Sequence, residues 1–203
     1  MERARSVGFM PSAWVFPGGQ VDEEDAAAAS VGGDFDRVPK PFWTAALREL
    51  AEEANVTITL DGAWDLRGVG VWAHWVTPEV EPRRYDTWFF VARMPEGTEA
   101  VVDGREASSG GWFRPADALA ATDRGELPVA PPTLRTLTEL LPYEDVAAVL
   151  AAVRHTPPIM PRFHQDQETL FVLLPGDPDH PSAERVDPPW RYAFSSGRWW
   201  ARP

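Results

Sequence analysis

The sequence has no cysteine among its 203 residues. This absence excludes disulfide bonds, thiolate zinc sites and thiol nucleophiles, and it makes the cytoplasm the expected compartment. No stretch reaches the roughly 18 consecutive apolar residues that a membrane span requires. The first residues, Met1 to Gly8, also lack the pattern of a signal peptide. We therefore expect a protein that is not associated with a membrane.

Basic residues are scarce as well: 19 Lys and Arg stand against 31 Asp and Glu, which gives a formal charge of −12. Binding to nucleic acid or to an anionic membrane surface depends on clustered positive charge, so both are unexpected here. A phosphorylated ligand would require bound cations or a local basic pocket to reverse the field. The expected partner is a small molecule, and the chain is expected to be a monomer or a homodimer.

The abundant residues are proline and tryptophan, with 21 and 10 copies, so connections between elements should be long and irregular. The length predicts one domain over residues 1–203. Within it, residues of about 26–41 look like an insertion and those of about 142–203 like a C-terminal elaboration. Apolar periodicity and turn residues predict helices at 42–54, Pro115–Ala121, Pro132–Leu141 and Tyr143–Arg154. They predict strands at Ala13–Phe16, Val56–Leu60, Gly68–His74, Thr87–Ala92, Gly111–Phe113, Thr169–Leu174 and Tyr192–Trp200, the last turning at Ser196 and Gly197.

The helix predicted at 42–54 places Glu49, Glu52 and Glu53 on one face, because residues three and four positions apart are neighbours on a helix. Repulsion between such like charges costs only about 0.2–0.5 kcal/mol, so an ordinary solvated face is the simplest interpretation of the trio alone. Two neighbouring features favour a site. Arg48 precedes the trio and can pair with it, and a predicted strand upstream ends in Pro17-Gly18-Gly19.

Taken together, Gly19, Asp25 and the run Arg48-Glu49-Leu50-Ala51-Glu52-Glu53 resemble the Nudix box. In that family the box reads Gly, five residues, Glu, seven residues, Arg-Glu, an aliphatic residue, any residue, Glu-Glu, any residue, Gly and an aliphatic residue. This chain has Asp25 where the first Glu is expected, 22 residues instead of seven before Arg48, and Asn55 near the position of the last Gly. Asn tolerates the left-handed conformation that this Gly adopts better than other residues with a side chain do.

Further segments resemble the Nudix branch of peroxisomal acyl-coenzyme A diphosphatases and their bacterial relatives. They are Gly8-Phe9-Met10-Pro11-Ser12-Ala13, Val15-Phe16-Pro17-Gly18-Gly19, and Pro82-Arg83-Arg84-Tyr85-Asp86-Thr87 before Phe89-Phe90. The resemblance extends from about Ser6 to Leu141. It implies an α/β fold, the Nudix α/β/α sandwich with a mixed central sheet, here with an insertion inside the box and extra C-terminal helices and a hairpin.

The resemblance also implies a metal site for Mg²⁺ or Mn²⁺, formed by Glu49, Glu52, Glu53 and the backbone carbonyl of Gly19. Oxygen ligands of this kind suit magnesium. The expected catalytic residues are Arg48, Glu52 and Glu106, with Glu52 and Glu106 as the two alternatives for the general base. Glu106 is equally compatible with a solvated loop acid.

Arg83, Arg84 and Gly18 are expected to bind substrate, because guanidinium groups clamp phosphates through paired hydrogen bonds. The alternative for the two arginines is a surface pair beside Glu79 and Glu81.

The other candidates have structural and site interpretations. Asp22 and Asp25 are expected to cap or solvate the loop, with a role in holding outer-shell water as the alternative. Trp72, Trp75 and Trp88 are expected in the core or at a partner surface, with stacking on an adenine as the alternative. The histidines are expected to be structural: His74, His155, His164 and His180.

The leading functional hypothesis is hydrolysis of the diphosphate of coenzyme A or acyl-coenzyme A, as the resemblance implies. A second hypothesis retains the fold and metal but takes ADP-ribose or another nucleoside diphosphate derivative. A third, of another class, is a non-catalytic Nudix domain that only binds a ligand. Isomerases of this fold that rely on a catalytic cysteine are excluded by composition.

Overall fold

A computed structural model of the protein describes residues 1–3, 13–78, 84–102, 104, 107–152 and 154–202. The chain divides into two compact units, one formed by Met1–Val71, Phe90–Trp112 and Asp145–Ala152, the other by Trp72–Phe89, Phe113–Glu144 and Val153–Pro203. In chain order the elements are β1 (Glu2–Arg3), α1 (Glu23–Ala27), β2 (Ser30–Val31), α2 (Lys40–Ala54), β3 (Thr59–Leu60), β4 (Ala63–Asp65), β5 (Val69–Val76), β6 (Asp86–Ala92), β7 (Ala107–Ser109), α3 (Pro115–Asp123), α4 (Pro131–Leu140), α5 (Val146–Ala151), β8 (Pro158–Ile159), β9 (Arg162–Asp166), β10 (Thr169–Leu173), β11 (Arg191–Ser195) and β12 (Arg198–Arg202).

Helix α2 is the main helix of the first unit, and it confirms the helix predicted at 42–54. Pro41 occupies its first turn, where a missing N–H costs nothing. Asn55 ends it in the left-handed conformation with φ of 55°, and its N–H donates to the Ala51 carbonyl at 3.1 Å. Trp43 on its buried face donates from Nε1 to the Val38 carbonyl and packs against Phe90 at 4.8 Å between ring centroids. The helix is therefore anchored by its first turn and closed at its last.

The sheets of the described residues are mixed, as the sequence predicted. Strand β4 lies between β2, which it pairs in parallel, and β3, which it pairs antiparallel. Strands β6, β5 and β8 form a second three-stranded sheet in that order, in which β5 and β8 are parallel. A two-stranded antiparallel pair joins β1 and β7. This combination of helices and mixed sheets is the α/β architecture expected.

The second unit contains a four-stranded antiparallel sheet in the order β12-β11-β10-β9. Its last hairpin turns at Ser196 and Gly197, with φ of 52° and 77°, as predicted. Strand β9 was not predicted, because its five residues are all exposed and mostly polar and so lack the apolar alternation that marks a strand. The core of this unit includes the fully buried Trp72, Leu173, Leu174 and Tyr192.

Four predicted elements were wrong in extent or place. The predicted strand at Ala13–Phe16 is reduced to a single bridge between Trp14 and Glu2. Residues 111–113, predicted as a strand, form none among the described residues: Trp112 there is 76% exposed, and strand β7 lies just before it.

The other two predicted elements are shorter than expected. The segment predicted as one strand at Val56–Leu60 keeps only β3, which the tight turn at Asp61 and Gly62, both with positive φ, joins to β4. The helix predicted at Tyr143–Arg154 shortens to α5, because the Asp145 side chain accepts a hydrogen bond from the Ala148 N–H and sets the start of the helix. In the ranges that the structure describes, no helix is long and apolar enough to cross a membrane.

Candidate active site

The loop at Gly18 and Gly19 lies directly against the carboxylates of α2. A Cβ at position 19 would lie 2.2 Å from Glu49 Oε1 and 2.6 Å from Oε2, far inside van der Waals contact, so with any other residue the turn or the Glu49 carboxylate would have to move. One residue earlier, the Gly18 N–H donates to Glu53 Oε2 at 2.6 Å. The structure therefore brings the glycine turn and two of the three predicted carboxylates together.

Arg48 connects α2 to the segment that follows the glycine turn. Its Nε and Nη2 donate to the two carboxylate oxygens of Asp25, each at 3.1 Å, and Nη2 also donates to the Gln20 carbonyl at 2.8 Å. Asp25 is only 2% exposed. The paired hydrogen bonds to Asp25 are the main cause that raises the pKa of Arg48 above its usual value. This guanidinium stays charged and fixes the turn relative to the helix.

The opposite side of the same guanidinium faces the metal-ligand candidates. Nη1 donates to Glu49 Oε1 at 3.0 Å and to Glu52 Oε2 at 3.1 Å, and Nη2 lies 3.6 Å from Asp22 Oδ2. Glu49 is 14% exposed, whereas Glu52 is 58% exposed. One positive charge therefore stands among four carboxylates, and the negative charge of the site exceeds what Arg48 neutralises.

Asp25, which replaces the first glutamate of the Nudix pattern, is held from several directions. Its Oδ2 accepts the Asp22 N–H at 2.8 Å in the capping box that begins α1. Its backbone carbonyl accepts a hydrogen bond from the Thr44 hydroxyl at 2.8 Å. The aspartate side chain therefore reaches Arg48 and forms an ion pair with it.

The insertion at about 26–41 begins directly after Asp25 and ends in the first turn of α2. Its short strand β2 pairs with β4, and the Trp64 N–H donates to the Ala29 carbonyl at 2.9 Å. The Lys40 ammonium donates to the Ala26 carbonyl at 3.3 Å. The two ends of the insertion therefore lie close together, and the 22 intervening residues do not separate Asp25 from Arg48.

The donor types at the site fit a divalent cation such as Mg²⁺ or Mn²⁺: carboxylates of α2 and the carbonyl of the glycine turn are all hard oxygen ligands. The Glu49 carboxylate fills the space that a side chain at position 19 would occupy, so one such carboxylate lies at the turn. Among the described residues, however, no group of three His, Asp or Glu side chains is arranged as a preformed metal site. The assignment of Glu49, Glu52, Glu53 and Gly19 as metal ligands stays a prediction.

Two of the predicted site residues, Arg83 and Glu106, lie outside the described residues. Arg84 belongs to the second unit, where its Nε donates to the Thr77 carbonyl at 3.1 Å. Its predicted role in substrate binding, like that of Gly18, stays a prediction.

Two of the three tryptophan candidates are buried, and the third stacks on a histidine. Trp72 and Trp75 are 1% and 6% exposed and belong to the core. Trp88 stacks on His74 at 3.8 Å with an interplanar angle of 8°, and His74 Nε2 lies 2.6 Å from Asp86 Oδ1. These contacts fit the structural role expected of His74.

Sequence reasoning missed two participants, Gln20 and Thr44. Gln20 contributes only its backbone carbonyl, which no side-chain pattern reveals. Thr44 lies four residues before Arg48 and therefore on the same side of α2, which is the one signal that could have identified it.

Comparisons with known proteins found similarity to Nudix hydrolases. No family model matches the chain. It is 27% identical to nudix hydrolase 7 of Caenorhabditis elegans over 71% of this chain and 56% of that protein, so it spans little more than half the length of this relative. It is 20% identical to the acyl-coenzyme A diphosphatase NUDT19 of Xenopus laevis over 89% of this chain and 70% of that protein. The crystal structure of a NUDIX hydrolase from Alicyclobacillus acidocaldarius matches with a TM-score of 0.65 and 25% identity, covering 77% of this chain and 88% of the other.

Proposed function

We propose, from the premise that this chain belongs to the Nudix hydrolase superfamily, that it is a metal-dependent hydrolase that cleaves a diphosphate linkage. The observation that supports this most directly is the contact between the glycine turn and the carboxylate helix. Gly19 leaves room for Glu49, Gly18 donates to Glu53, and Arg48 links the turn to the helix. The site thus combines fixed oxygen ligands with surplus negative charge.

In the proposed reaction, Glu49, Glu53 and the Gly19 carbonyl hold Mg²⁺ or Mn²⁺. When bound, the cation neutralises the phosphate oxygens, which are already anionic, and assists attack by water. The oxygen of that water forms a bond to one phosphorus, the bridging P–O bond breaks, and the second phosphate leaves.

The proton released from water passes to a carboxylate of this chain. Glu52 is the most exposed of the three helix glutamates and is our first assignment for the base, with Glu106 as the alternative. Arg48 is already bonded to Asp25, Gln20, Glu49 and Glu52, so we assign it a positioning role and not a contact with substrate.

For the substrate we propose coenzyme A or acyl-coenzyme A, which would give a phosphopantetheine and adenosine 3′,5′-bisphosphate. The likeness to NUDT19 supports this choice. In this proposal Arg83, Arg84 and Gly18 bind substrate phosphates. The second candidate is ADP-ribose or another nucleoside diphosphate derivative, which would use the same metal and carboxylates.

The experiment that tests the function is a magnesium-dependent hydrolysis screen in which the two phosphomonoester products are separated from the substrate by chromatography. Coenzyme A, acyl-coenzyme A, ADP-ribose and nucleotide sugars are each incubated with the purified chain, with and without EDTA. We expect EDTA-sensitive turnover that is fastest with coenzyme A or its thioesters. Faster turnover of ADP-ribose than of coenzyme A would contradict the first substrate and support the second candidate substrate. No turnover of any compound would contradict hydrolysis and favour a ligand-binding module.

A further inference from the structure

We propose that Thr44 is a positioning residue of the active site, which holds Asp25 in place so that the long insertion does not loosen the Asp25–Arg48 pair. This inference rests on the proposed function, because positioning matters only if the site catalyses a reaction. Thr44 is completely buried, and its hydroxyl lies 2.8 Å from the Asp25 carbonyl.

The Asp25 carbonyl is the natural recipient of that hydrogen bond. Helix α1 ends at Ala27, and the last carbonyls of a helix lack partners within the helix. The Thr44 hydroxyl also lies 3.2 Å from the Lys40 and Pro41 carbonyls, but these belong to its own helix. A hydroxyl has one hydrogen, and the shortest contact is the one to Asp25.

The Thr44 hydrogen bond holds Asp25, the residue immediately before the insertion. After Asp25 the chain departs for 22 residues before it returns to Arg48, whereas the usual Nudix box has only seven. A longer excursion leaves its first residue less constrained by the helix to which the chain returns. Thr44 connects that first residue directly to α2, one helical turn before Arg48.

Other contacts hold the insertion but do not touch Asp25. Trp43 Nε1 donates to the Val38 carbonyl at 3.0 Å, at the returning end of the insertion. The Leu66 N–H donates to the Val31 carbonyl at 2.9 Å, beside strand β2. Thr44 therefore differs from these residues, because it acts on the acid that Arg48 binds.

The test replaces Thr44 by valine, which keeps the shape and removes the hydroxyl, and by serine, which restores the hydroxyl. Thr122 supplies a matched control. It is 2% exposed, and its hydroxyl lies 3.0 Å from the Ala118 carbonyl in its own helix and 2.9 Å from the Leu127 carbonyl beyond the end of that helix. Thr122→Val removes an equivalent buried hydroxyl in the other unit. It reports the effect of lost stability alone.

The first readout is kinetic. We expect Thr44→Val to lower kcat, or the apparent affinity for Mg²⁺, by about 10- to 100-fold, the range typical of residues that orient metal ligands. Thr44→Ser should stay within about threefold of the wild type. Thr122→Val should lower the melting temperature but leave the rate of the folded protein unchanged. Equal losses of rate in Thr44→Val and Thr122→Val would overturn the proposal.

The second readout does not depend on activity. The Arg48 Nε–H, which donates to Asp25, should give a protected NMR resonance in the wild type and in Thr44→Ser. In Thr44→Val this proton should exchange faster, and so should the backbone amides of residues 22–31. An Arg48 resonance unchanged in Thr44→Val would contradict the proposal. If the wild type turns over no substrate, the proposed function fails, and the NMR result alone decides whether Thr44 holds the pair.

Discussion

Each unit of the molecule contains an arginine–carboxylate network, and the two networks are composed in opposite ways. In the first unit, one guanidinium, that of Arg48, lies among four carboxylates, those of Asp22, Asp25, Glu49 and Glu52. Counted as full charges, this network has a surplus of three negative charges, since four carboxylates face one cation.

In the second unit, two guanidinium groups share one carboxylate. Arg135 Nε lies 2.8 Å from Glu139 Oε1, and Arg154 Nη2 lies 2.7 Å from Oε2 of the same residue. Each arginine makes a further contact: Arg135 Nη1 donates to the Pro189 carbonyl, while Arg154 Nε donates to the Trp72 carbonyl and its guanidinium stacks over the Trp72 ring at 3.9 Å. Arg135 is only 3% exposed.

The difference between the networks indicates their roles. Buried charges are tolerated when they are paired and bonded. In the second network both guanidinium groups pair with Glu139 and each donates to a backbone carbonyl, although Arg135 Nε itself makes no hydrogen bond among the described residues. The first network lacks enough positive charge of its own, which is the condition that a bound cation would relieve. We infer that the Arg48 network serves catalysis and the Glu139 network serves stability.

The largest effect on turnover is expected when carboxylate charge is removed from the first network. Replacing Glu52 and Glu53 by glutamine should abolish magnesium-dependent turnover, with a loss greater than about 100-fold, because even partners outside a ligand shell contribute 10- to 100-fold. The free energy of unfolding should stay the same or rise slightly, since repulsion between like charges is relieved. Steady-state kinetics and urea unfolding measure the two effects. Full activity in the double variant would refute the central proposal, and Glu126→Gln, at an exposed pair in the second unit, is the control.

A second test alters the glycine turn without changing charge. Gly19→Ala places a methyl group 2.2 Å from Glu49 Oε1, so either the turn or the carboxylate must move. We expect kcat to fall about 100-fold, because a displacement of about 1 Å at a reacting site has effects of that size. Gly68→Ala is the matched control, since a Cβ there meets nothing within 4 Å. If both variants retained wild-type kcat, the contact of Gly19 with Glu49 would have no catalytic importance.

A substitution in the second network should lower the free energy of unfolding and leave kcat unchanged. Glu139→Gln leaves two guanidinium groups without their shared carboxylate, and breaking a buried ion pair in this way costs about 3 to 5 kcal/mol. We expect urea unfolding to show a loss of that order. The kcat of the protein that remains folded should be unchanged. A selective loss of kcat at unchanged stability would instead assign the Glu139 network to catalysis.

The smallest expected effect concerns Tyr192, next to the second network. Burial raises the pKa of Tyr192 to about 12 from the ordinary value of 10.0, while nearby Arg135 offsets part of that rise. Because the folded-state pKa is the higher one, the contribution of Tyr192 to stability is complete below pH 10 and is lost as pH rises from 10 to about 12. Unfolding free energies should therefore decrease more steeply over this window for the wild type than for Tyr192→Phe. Parallel curves for the two proteins would contradict the assignment.

Much of the fold followed from local sequence patterns. Helix α2 was predictable because its ends carry Pro41 and Asn55, whose backbone preferences act within one turn. The strand predictions that were wrong concerned strands whose length depends on pairing with neighbouring strands. The segment Ala13–Phe16 has the composition of a strand but pairs through only one bridge, and β9 has the pairing without the composition.

The candidate site shows the same division. The sequence by itself determined that Glu49, Glu52 and Glu53 share a helix face with Arg48 beside them, because helical spacing depends only on the order of residues. Only the tertiary structure decided that Asp25 reaches Arg48 across 22 residues, that the Thr44 hydroxyl donates to the Asp25 carbonyl, and that Gln20 takes part through its backbone carbonyl. Such contacts depend on where the chain returns after a long excursion, and no local preference of the residues specifies that place.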